Sequence, residues 1–200
     1  PTLVSWPGRS TQAELVELGG VPTKYSPYGV RLSGSPGAIP AIRDRRAGVQ
    51  DEGSQLVAEI FAAVSQNAHD WLDLCAGPGG KAAYLFHSLI EKEPEVSFLA
   101  NEPIAHRAEL VKRVVNNDLV VSLDGREPSS FNQLFDRILI DAPCTGLGAL
   151  RRRPEARWRK TLADLKELVV IQRDLLSSGA KLLKPNGVIA YVTCSPHLSE

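Results

Sequence analysis

Short apolar runs alternate with amphipathic stretches through most of the chain, and this alternation restricts the fold more than any other feature. Five runs have the length of buried strands: 70–75, 96–101, 119–123, 135–140 and 187–193. Three stretches between them have helical spacing: 81–92, 104–116 and 161–183. Strands that alternate with helices form a parallel sheet covered on both faces. The sequence therefore predicts an α/β fold with a doubly wound sheet.

The stretch 161–183 has the clearest helical pattern. Thr161 and Asp164 are spaced as in a capping box, and Pro185-Asn186-Gly187 is typical of a helix end. Eight apolar residues recur at spacings that predict one buried face: Leu162, Leu165, Leu168, Val169, Leu175, Leu176, Leu182 and Leu183. Core packing explains these residues without any further role.

Residues 1–48 differ from the rest of the chain because they are rich in Gly, Pro and Ser and carry only short apolar alternations. This composition predicts a small, loop-rich accessory lobe. Helical spacing of apolar residues from Asp51 to Val64 then predicts a helix leading into the main domain. We therefore divide the chain into a lobe of residues 1–48 and a main domain of residues 49–200.

Composition limits where the protein acts and what it binds. Lys plus Arg and Asp plus Glu each number 23, so a surface for a polyanion must be local rather than global. Three cysteines without metal-ligand spacing predict reduced thiols, no bound metal and a cytoplasmic protein. No apolar run approaches the roughly 20 residues that span a bilayer, so we expect no membrane segment.

A glycine-rich turn follows the first strand of the main domain, in Asp73-Leu74-Cys75-Ala76-Gly77-Pro78-Gly79-Gly80-Lys81. A Walker-type loop needs glycine six positions before the lysine and Ser or Thr after it, but Cys75 and Ala82 occupy those positions. A turn without side chains instead lets backbone N–H groups approach a nucleotide-like cofactor. Glu102 lies where an acid could accept ribose hydroxyl protons, and Asp124 where one could accept an adenine amino proton. This pattern fits both nicotinamide and other adenosine cofactors.

Two cysteines follow the last two predicted strands. Cys144 lies in Asp141-Ala142-Pro143-Cys144-Thr145-Gly146, and Cys194 lies in Thr193-Cys194-Ser195. Both segments come at the carboxyl ends of strands, where open α/β sheets bind their ligands. A single cysteine there is more often a small buried residue. Two that converge beside an aspartate indicate thiol chemistry, which hydride transfer does not need.

These blocks, together with Gln50-Asp51 and Ser54, resemble in order and spacing the signatures of one family. It is the bacterial Fmu/Sun or NOL1/NOP2/sun family of RNA 5-methylcytosine methyltransferases. The resemblance covers residues 45–200 strongly and residues 1–44 more loosely, as the family's RNA-binding appendage. It implies a Rossmann-like class I methyltransferase sheet that binds S-adenosylmethionine. It also implies that the domain continues beyond Glu200, so we expect the sheet to be incomplete at its C-terminal edge.

The resemblance assigns roles to four residues. Carbon 5 of cytosine is a poor nucleophile until another group adds at carbon 6, and a thiolate is the best group for that addition. Cys194 is implied to be the attacking thiol and Cys144 to assist its release. Asp141 is implied to stabilise the adduct at the ring, and Lys81 to hydrogen-bond the base. The implied cofactor-binding set is Cys75, Ala76, Gly77, Pro78, Gly79, Gly80, Lys81, Glu102, Asp124 and Asp141.

A basic segment with an exposed aromatic residue follows the Cys144 loop. Its residues suited to RNA are Arg151, Arg152, Arg153, Arg157, Trp158 and Arg159, with Lys160 beside them. Arginine holds phosphates bidentately and an indole stacks on a base, so we expect RNA contact here. A solvated helix start is the alternative. Arg43, Arg45 and Arg46 form a weaker second patch.

Several alternatives remain beside this interpretation. DNA cytosine methyltransferases use a Pro-Cys thiol, which would nominate Cys144, but they normally continue with Gln where this chain has Thr145. Amino-directed methyltransferases have an aromatic residue where Cys144 follows Pro143. The domain could also bind cofactor and RNA without turnover. Structured ribosomal RNA is favoured over transfer RNA as substrate, and the oligomeric state is not predicted.

Overall fold

A computed structural model describes residues 1–64 and 68–200 of the chain. Its larger part is a five-stranded sheet made of β5 (Asp70–Asp73), β6 (Ser97–Asn101), β7 (Val120–Val121), β8 (Phe135–Asp141) and β9 (Leu183–Val192). All neighbouring strands are parallel, and their order across the sheet is β7-β6-β5-β8-β9. This arrangement confirms the predicted doubly wound α/β fold.

The strand order places the carboxyl ends of β5 and β8 at a topological switch point. The chain proceeds from β5 to β6 and β7 on one side, and then returns to β8 and β9 on the other. Connections therefore leave β5 and β8 in opposite directions, which opens a crevice between the loops that follow them. The predicted glycine-rich turn follows β5, and the predicted segment with Asp141 and Cys144 begins at the end of β8.

Helices cover both faces of the sheet. They are α3 (Glu52–Ala63), α4 (Gly80–Lys92), α5 (Ala105–Lys112) and α7 (Leu162–Leu182), whereas α6 (Ala156–Arg159) is a short helix that buries no residue. Thr161 accepts from the Asp164 backbone N–H while the Asp164 side chain accepts from the Thr161 backbone N–H, so the predicted capping box is confirmed. The α4 side of the sheet buries Trp71, Tyr84 and Leu139, and the α7 side buries Leu72, Phe135 and Ile138.

The predicted leucine face of α7 is only partly correct. Leu175 and Leu182 are buried, but Leu162 is 76% exposed and Leu176 is 41% exposed. The helix turns a narrower face to the sheet, centred on the backbone of Gly179. A Cβ atom at Gly179 would lie 2.7 Å from Ile140 Cδ1, so a larger residue here would require the Ile140 side chain to move.

β9 and β7 differ most from their predicted lengths. β9 begins directly after α7 at Leu183, so Pro185-Asn186-Gly187 forms an irregularity inside the strand rather than the helix end. Asn186 has a φ of +65°, which fits the left-handed region that asparagine tolerates. β7 contains two residues instead of five, because the 3₁₀ turn Asn117–Leu119 includes its first predicted residue and its pairing with β6 ends at Val121.

The N-terminal lobe is more regular than its composition predicted. Four strands form an antiparallel sheet in the order β2-β3-β1-β4. Its elements are β1 (Thr2–Ser5), α1 (Gln12–Glu17), β2 (Val21–Pro22), β3 (Gly29–Arg31), α2 (Pro40–Arg43) and β4 (Ala47–Val49). Trp6 of the lobe stacks on His87 of α4, with ring centroids 5.4 Å apart. The lobe therefore packs directly on the main domain.

Candidate active site

The glycine-rich turn joins β5 to α4 at the switch point. Gly77 and Gly79 have φ angles of +59° and +98°, a region that L side chains rarely adopt. A Cβ atom at Gly79 would also lie 2.8 Å from Val114 Cγ2, so glycine is required there on two grounds. The turn consists of Cys75, Ala76, Gly77, Pro78, Gly79 and Gly80, followed by Lys81 in the first turn of α4. The N-terminus of α4 therefore opens toward the crevice.

Glu102 and Asp124 follow β6 and β7 at the same edge of the sheet. Glu102 is 3% exposed and accepts a hydrogen bond from the Ile104 backbone N–H at 3.0 Å. Arg107 of α5, which the sequence analysis did not select, lies 3.4 Å from the second carboxylate oxygen of Glu102. A carboxylate has about four lone-pair sites, so Glu102 retains capacity to accept from a ligand.

Asp124 is already paired in this structure. Arg126 contacts both of its oxygens, with Nη2 2.6 Å from Oδ2, and the Asp124 side chain is 45% exposed. The hydrogen bond from the Arg126 side chain lowers the pKa of Asp124 to about 2. An adenine amino group would share this carboxylate with the guanidinium.

Asp73, at the end of β5, lies in the site but was not among the site residues predicted from the sequence. Its side chain is fully buried, and Oδ1 accepts from the Cys75 backbone N–H at 3.3 Å. Its Oδ2 has no hydrogen-bond partner within the described part of the chain. Burial, and then the nearby Asp141 carboxylate, raise the pKa of Asp73 to about 7. A charged residue at the end of a buried strand was the signal that could have identified it.

Lys81 and Asp141 form an ion pair across the crevice. Lys81 Nζ lies 2.6 Å from Asp141 Oδ2, and the two side chains are 12% and 33% exposed. Lys81 belongs to α4, whereas Asp141 is the last residue of β8. The pair therefore connects the glycine-rich turn to the loop that carries Cys144.

The thiols of Cys144 and Cys194 lie face to face, as the two strand-end motifs predicted. Their Sγ atoms are 3.3 Å apart, and both cysteines are free thiols. The two loops are also joined through the backbone, because the Gly148 N–H donates to the Cys194 carbonyl oxygen at 2.8 Å. One sulfur can therefore act on a substrate atom while the other remains within hydrogen-bond distance.

The proton shared by this pair distinguishes the two thiols. The hydrogen bond between the two thiols, in which either sulfur can be the donor, is the largest influence on the pKa of Cys194 and lowers it to about 6. The charge of Lys81 acts in the same direction. The same hydrogen bond raises the pKa of Cys144. Burial raises the pKa of the third thiol, Cys75, which removes it as a nucleophile. Cys194 is the thiol that is most readily ionised.

Residues of α7 and the chain after β9 support both thiol loops, and the sequence analysis did not select them. Gln172 is 4% exposed and donates to the Pro143 carbonyl oxygen at 2.9 Å. Glu200 accepts from the Thr145 backbone N–H at 2.8 Å and from Gln172 at 3.1 Å. No local sequence pattern identifies these contacts, because they form only when α7 packs on the sheet.

The predicted RNA-binding segment is exposed beside the Cys144 loop. Trp158 in α6 is 83% exposed, and the Arg157 guanidinium lies 5.8 Å from the centroid of its ring. Arg152 is engaged elsewhere, since its Nε lies 3.0 Å from Asp51 Oδ2. The exposed basic residues that remain are Arg151, Arg153, Arg157, Arg159 and Lys160.

The second basic patch is smaller than predicted. Arg46 forms a bidentate pair with Glu14 at 2.8 and 2.7 Å, so its guanidinium is already occupied. Arg43 and Arg45 remain exposed.

Two classes of site are not found in the described residues. No group of three or more His, Cys, Asp or Glu side chains within residues 1–64 and 68–200 could hold a metal ion. No helix in the same part of the chain has the length and apolar character needed to cross a membrane.

Comparison with solved structures supports the fold. The crystal structure of PH0851 aligns with 99% of this chain and 47% of its own chain, with a TM-score of 0.86 and 26% identity. NSun6 from Pyrococcus horikoshii, solved with SFG, aligns with 87% of this chain and 46% of its own, with a TM-score of 0.70 and 23% identity. The latter identity is low enough that the similarity shows the fold alone.

Comparison with curated sequences identifies the family. MT1451 of Mycobacterium tuberculosis, named as a candidate methyltransferase, is 48% identical over 99% of this chain and 44% of its own length. Ribosomal RNA small subunit methyltransferase B of Cronobacter sakazakii is 37% identical over 79% of this chain and 37% of its own length. The chain thus spans less than half the length of these relatives. The profile of the 16S rRNA methyltransferase RsmB/F family matches residues 60–200, and the chain therefore belongs to that family.

Proposed function

We propose that this domain transfers a methyl group from S-adenosylmethionine to carbon 5 of a cytosine in structured ribosomal RNA. One observation carries the proposal: two thiols 3.3 Å apart, of which one is readily ionised, beside the Lys81–Asp141 pair and the glycine-rich turn. Membership in a family of 16S rRNA methyltransferases supports RNA as the substrate.

The residues at the switch point fit S-adenosylmethionine. The unpartnered Oδ2 of Asp73 is a buried acceptor that a cofactor ammonium group would satisfy, and Glu102 has capacity left for two ribose hydroxyl groups. Gly77, Gly79 and Gly80 carry no side chains beside the N-terminus of α4, so backbone N–H groups there can approach the cofactor. When bound, the cofactor supplies an electrophilic methyl group.

Cys194 begins the reaction by forming a bond between its sulfur and carbon 6 of the cytosine. A thiolate is required, and the low pKa of Cys194 provides one at neutral pH. Electrons of the ring move toward N3 and O2, which makes carbon 5 nucleophilic enough to take the methyl group. The base must leave its stack to reach Cys194, at a cost of about a few kcal/mol.

Asp141 and Lys81 act at the edge of the ring where this charge develops. Their ion pair provides a carboxylate and an ammonium within 2.6 Å of each other. The ammonium can donate a hydrogen bond to the cytosine carbonyl oxygen, and the carboxyl group can share a proton with N3. Both contacts are stronger in the adduct than in the free base, so they accelerate the addition.

Cys144 assists the release of the product. After methylation a water molecule takes the carbon 5 proton, and the electron pair of that C–H bond forms the double bond between carbons 5 and 6. The bond from sulfur to carbon 6 breaks at the same time, and its electron pair returns to Cys194. Cys144 Sγ lies 3.3 Å from that sulfur, so its S–H group can donate to the departing thiolate and stabilise it. Without this donor the adduct should persist.

The exposed residues Arg153, Arg157 and Trp158 are proposed to hold the RNA strand that flanks the target base. The N-terminal lobe, residues 1–48, is proposed as a further RNA-contacting part. Ribosomal RNA is the proposed substrate, and transfer RNA is the alternative that the experiment below distinguishes.

Covalent trapping tests this function in the full-length protein. Cys144→Ala is incubated with total bacterial RNA and S-adenosylmethionine and then run on a denaturing gel beside the double variant Cys144→Ala/Cys194→Ala. We expect a denaturation-resistant RNA adduct in the single variant and none in the double variant. Sequencing of the trapped RNA identifies its class and the cytosine.

A matched assay distinguishes catalysis from binding alone. Calorimetry with S-adenosylmethionine is run on the same two variants, because neither substitution removes a proposed cofactor contact. Cofactor binding without any adduct or methyl transfer would contradict the proposed reaction and favour a binding module.

A further inference from the structure

A hydrogen-bonded cluster behind the two thiols joins their loops to α7. It consists of Gln172, Glu200, Thr145 and Ser195. Thr145 directly follows Cys144, and Ser195 directly follows Cys194. The cluster therefore fixes the chain immediately beside each sulfur.

Gln172 connects the cluster to the rigid part of the fold. It lies in the middle of α7, and its side chain is 4% exposed. Its amide nitrogen donates to the Pro143 carbonyl oxygen at 2.9 Å and to Glu200 Oε1 at 3.1 Å. The Gln172 amide thereby holds Pro143, which precedes Cys144, and Glu200, which contacts Thr145 after Cys144.

Glu200 accepts hydrogen bonds from two groups of Thr145. Its Oε1 accepts from the Thr145 backbone N–H at 2.8 Å, and its Oε2 accepts from the Thr145 hydroxyl. Thr145 Oγ1 lies 3.0 Å from Ser195 Oγ, which also accepts from the His197 backbone N–H at 3.2 Å. Burial alone would raise the pKa of Glu200, but hydrogen bonds from Ser195, Thr145 and Gln172 lower it below its ordinary value.

The order of donors and acceptors requires a carboxylate at the end of this chain of bonds. Thr145 has one hydroxyl proton, which it gives to Glu200, so Ser195 must donate to Thr145 or to Glu200. The His197 N–H then supplies the bond that Ser195 accepts. The Thr145 N–H, the Thr145 hydroxyl and the Gln172 amide all donate to Glu200, so an acceptor-only group fits that position.

We propose that Gln172 and Glu200 are positioning residues that hold the Cys144 and Cys194 sulfurs at their short separation. Neither residue touches the reacting atoms; they act by fixing Pro143, Thr145 and Ser195. The catalytic meaning of this separation rests on the proposed function. The structural part of the proposal does not, and it can be tested without cofactor or RNA.

Disulfide formation provides a measure of the sulfur separation. Diamide takes two electrons and two protons from the thiols of Cys144 and Cys194 and becomes a hydrazine, while one S–S bond forms. The linked peptides are quantified by mass spectrometry in the full-length protein. We expect rapid linkage in the unmodified protein, because its sulfurs lie 3.3 Å apart.

Two variants and one control are compared. Gln172→Leu removes the donor amide, and Glu200→Gln keeps the size of the side chain but replaces one acceptor oxygen by an NH₂ group. Ser178→Ala is the matched control, because Ser178 is buried on the same helix and its hydroxyl has no partner among the described residues. We expect linkage to slow about tenfold or more in Gln172→Leu, less in Glu200→Gln, and not at all in Ser178→Ala.

Turnover and cofactor affinity then complete the test. Since a displacement of about 1 Å can cost about 100-fold in rate, we expect kcat to fall toward that extent in Gln172→Leu while the Kd for S-adenosylmethionine stays unchanged. If Gln172→Leu does not fold, the linkage rate of Glu200→Gln tests the positioning role instead. Linkage as fast as in the unmodified protein in the folded variants would overturn the proposal. Slowed linkage without methyl transfer in any protein would uphold the positioning role and contradict the proposed function instead.

Discussion

Lys81 Nζ lies 2.6 Å from Asp141 Oδ2, so the helix that follows the cofactor turn is joined by an ion pair to the loop that carries Cys144. The fully buried Asp73 contributes a second carboxylate close to this pair, and the Lys81 charge opposes its protonation. One ammonium therefore serves two acids that belong to neighbouring parallel strands. The proposed base site and the proposed cofactor site are linked through this cation.

The Lys81–Asp141 pair should act as one unit in turnover. We expect Lys81→Met and Asp141→Asn each to lower the single-turnover rate by about 100-fold or more, as for a group that handles a proton in the transition state. The double variant should lose far less than the product of the two single losses, because each change already disables the pair. The measurement is the rate of methyl transfer at saturating RNA and cofactor. Multiplying losses would show that the residues act independently.

Cys144 should control the ionisation of Cys194. Alkylation by iodoacetamide consumes the thiolate, so its rate at Cys194 should rise as pH increases through about 6 and level off above it. Cys144→Ala removes the hydrogen-bond donor that lowers the Cys194 pKa, so the midpoint should move up toward the ordinary value near 8.5. Mass spectrometry of the Cys194 peptide between about pH 5 and pH 10 measures it. If the Cys194 midpoint in Cys144→Ala stays where it is in the unmodified protein, the hydrogen bond between the thiols does not control this pKa. Cys144→Ser keeps a hydrogen-bond donor, so it should move the midpoint less than Cys144→Ala does.

The exposed basic segment should contribute affinity in two distinguishable ways. Trp158→Ala should weaken RNA binding by about 1–3 kcal/mol through lost stacking, with the salt dependence unchanged. Arg157→Ala should instead reduce the slope of the logarithm of affinity against the logarithm of salt concentration by about one. Fluorescence anisotropy with labelled RNA at several salt concentrations measures both quantities. Lys112→Ala is the control, because Lys112 pairs with Glu109 on α5 outside this segment.

Arg152 provides an internal comparison within the same segment. Its guanidinium is paired with Asp51, so Arg152→Ala should reduce the salt slope less than Arg157→Ala does. Equal effects of the two substitutions would mean that RNA displaces the Arg152–Asp51 pair.

The main fold and the meeting of the two thiols could be predicted because both depend on local patterns. A buried parallel strand is a short apolar run, and the carboxyl ends of such strands meet at one edge whatever the helices between them do. Cys144 and Cys194 needed only this rule to be placed together, and their Sγ atoms lie 3.3 Å apart. The capping box at Thr161 is equally local, since both of its residues lie within one turn.

Features that depend on how elements pack could not be predicted in the same way. The buried face of α7 is set by the approach of Gly179 to Ile140, so Leu162 and Leu176 are exposed despite their helical spacing. Gln172 and Glu200 meet across 28 positions, and no periodicity reports a contact of that kind. The strands of the N-terminal lobe have two to four residues, too few for alternation to distinguish them from loops.

His87 should make the stability of the domain sensitive to acid. It is 7% exposed, stacks on Trp6, and its Nε2 lies 3.0 Å from the Val114 carbonyl oxygen. Burial disfavours the charged ring and lowers the pKa of His87 from 6.5 to about 4. The unfolded chain therefore binds more protons between these values, so stability is full above about pH 6.5 and falls as pH decreases toward 4.

The matched variant is His87→Phe, which keeps an aromatic ring against Trp6 but cannot be protonated. We expect the unmodified protein to lose about 2 kcal/mol more unfolding free energy than His87→Phe between pH 7 and about pH 5, measured by urea denaturation. The variant should be less stable at pH 7, where it lacks the hydrogen bond to Val114. Equal losses of unfolding free energy in the two proteins would mean that His87 accepts a proton while the protein stays folded. The neutral ring would then not be required for packing of the lobe against α4.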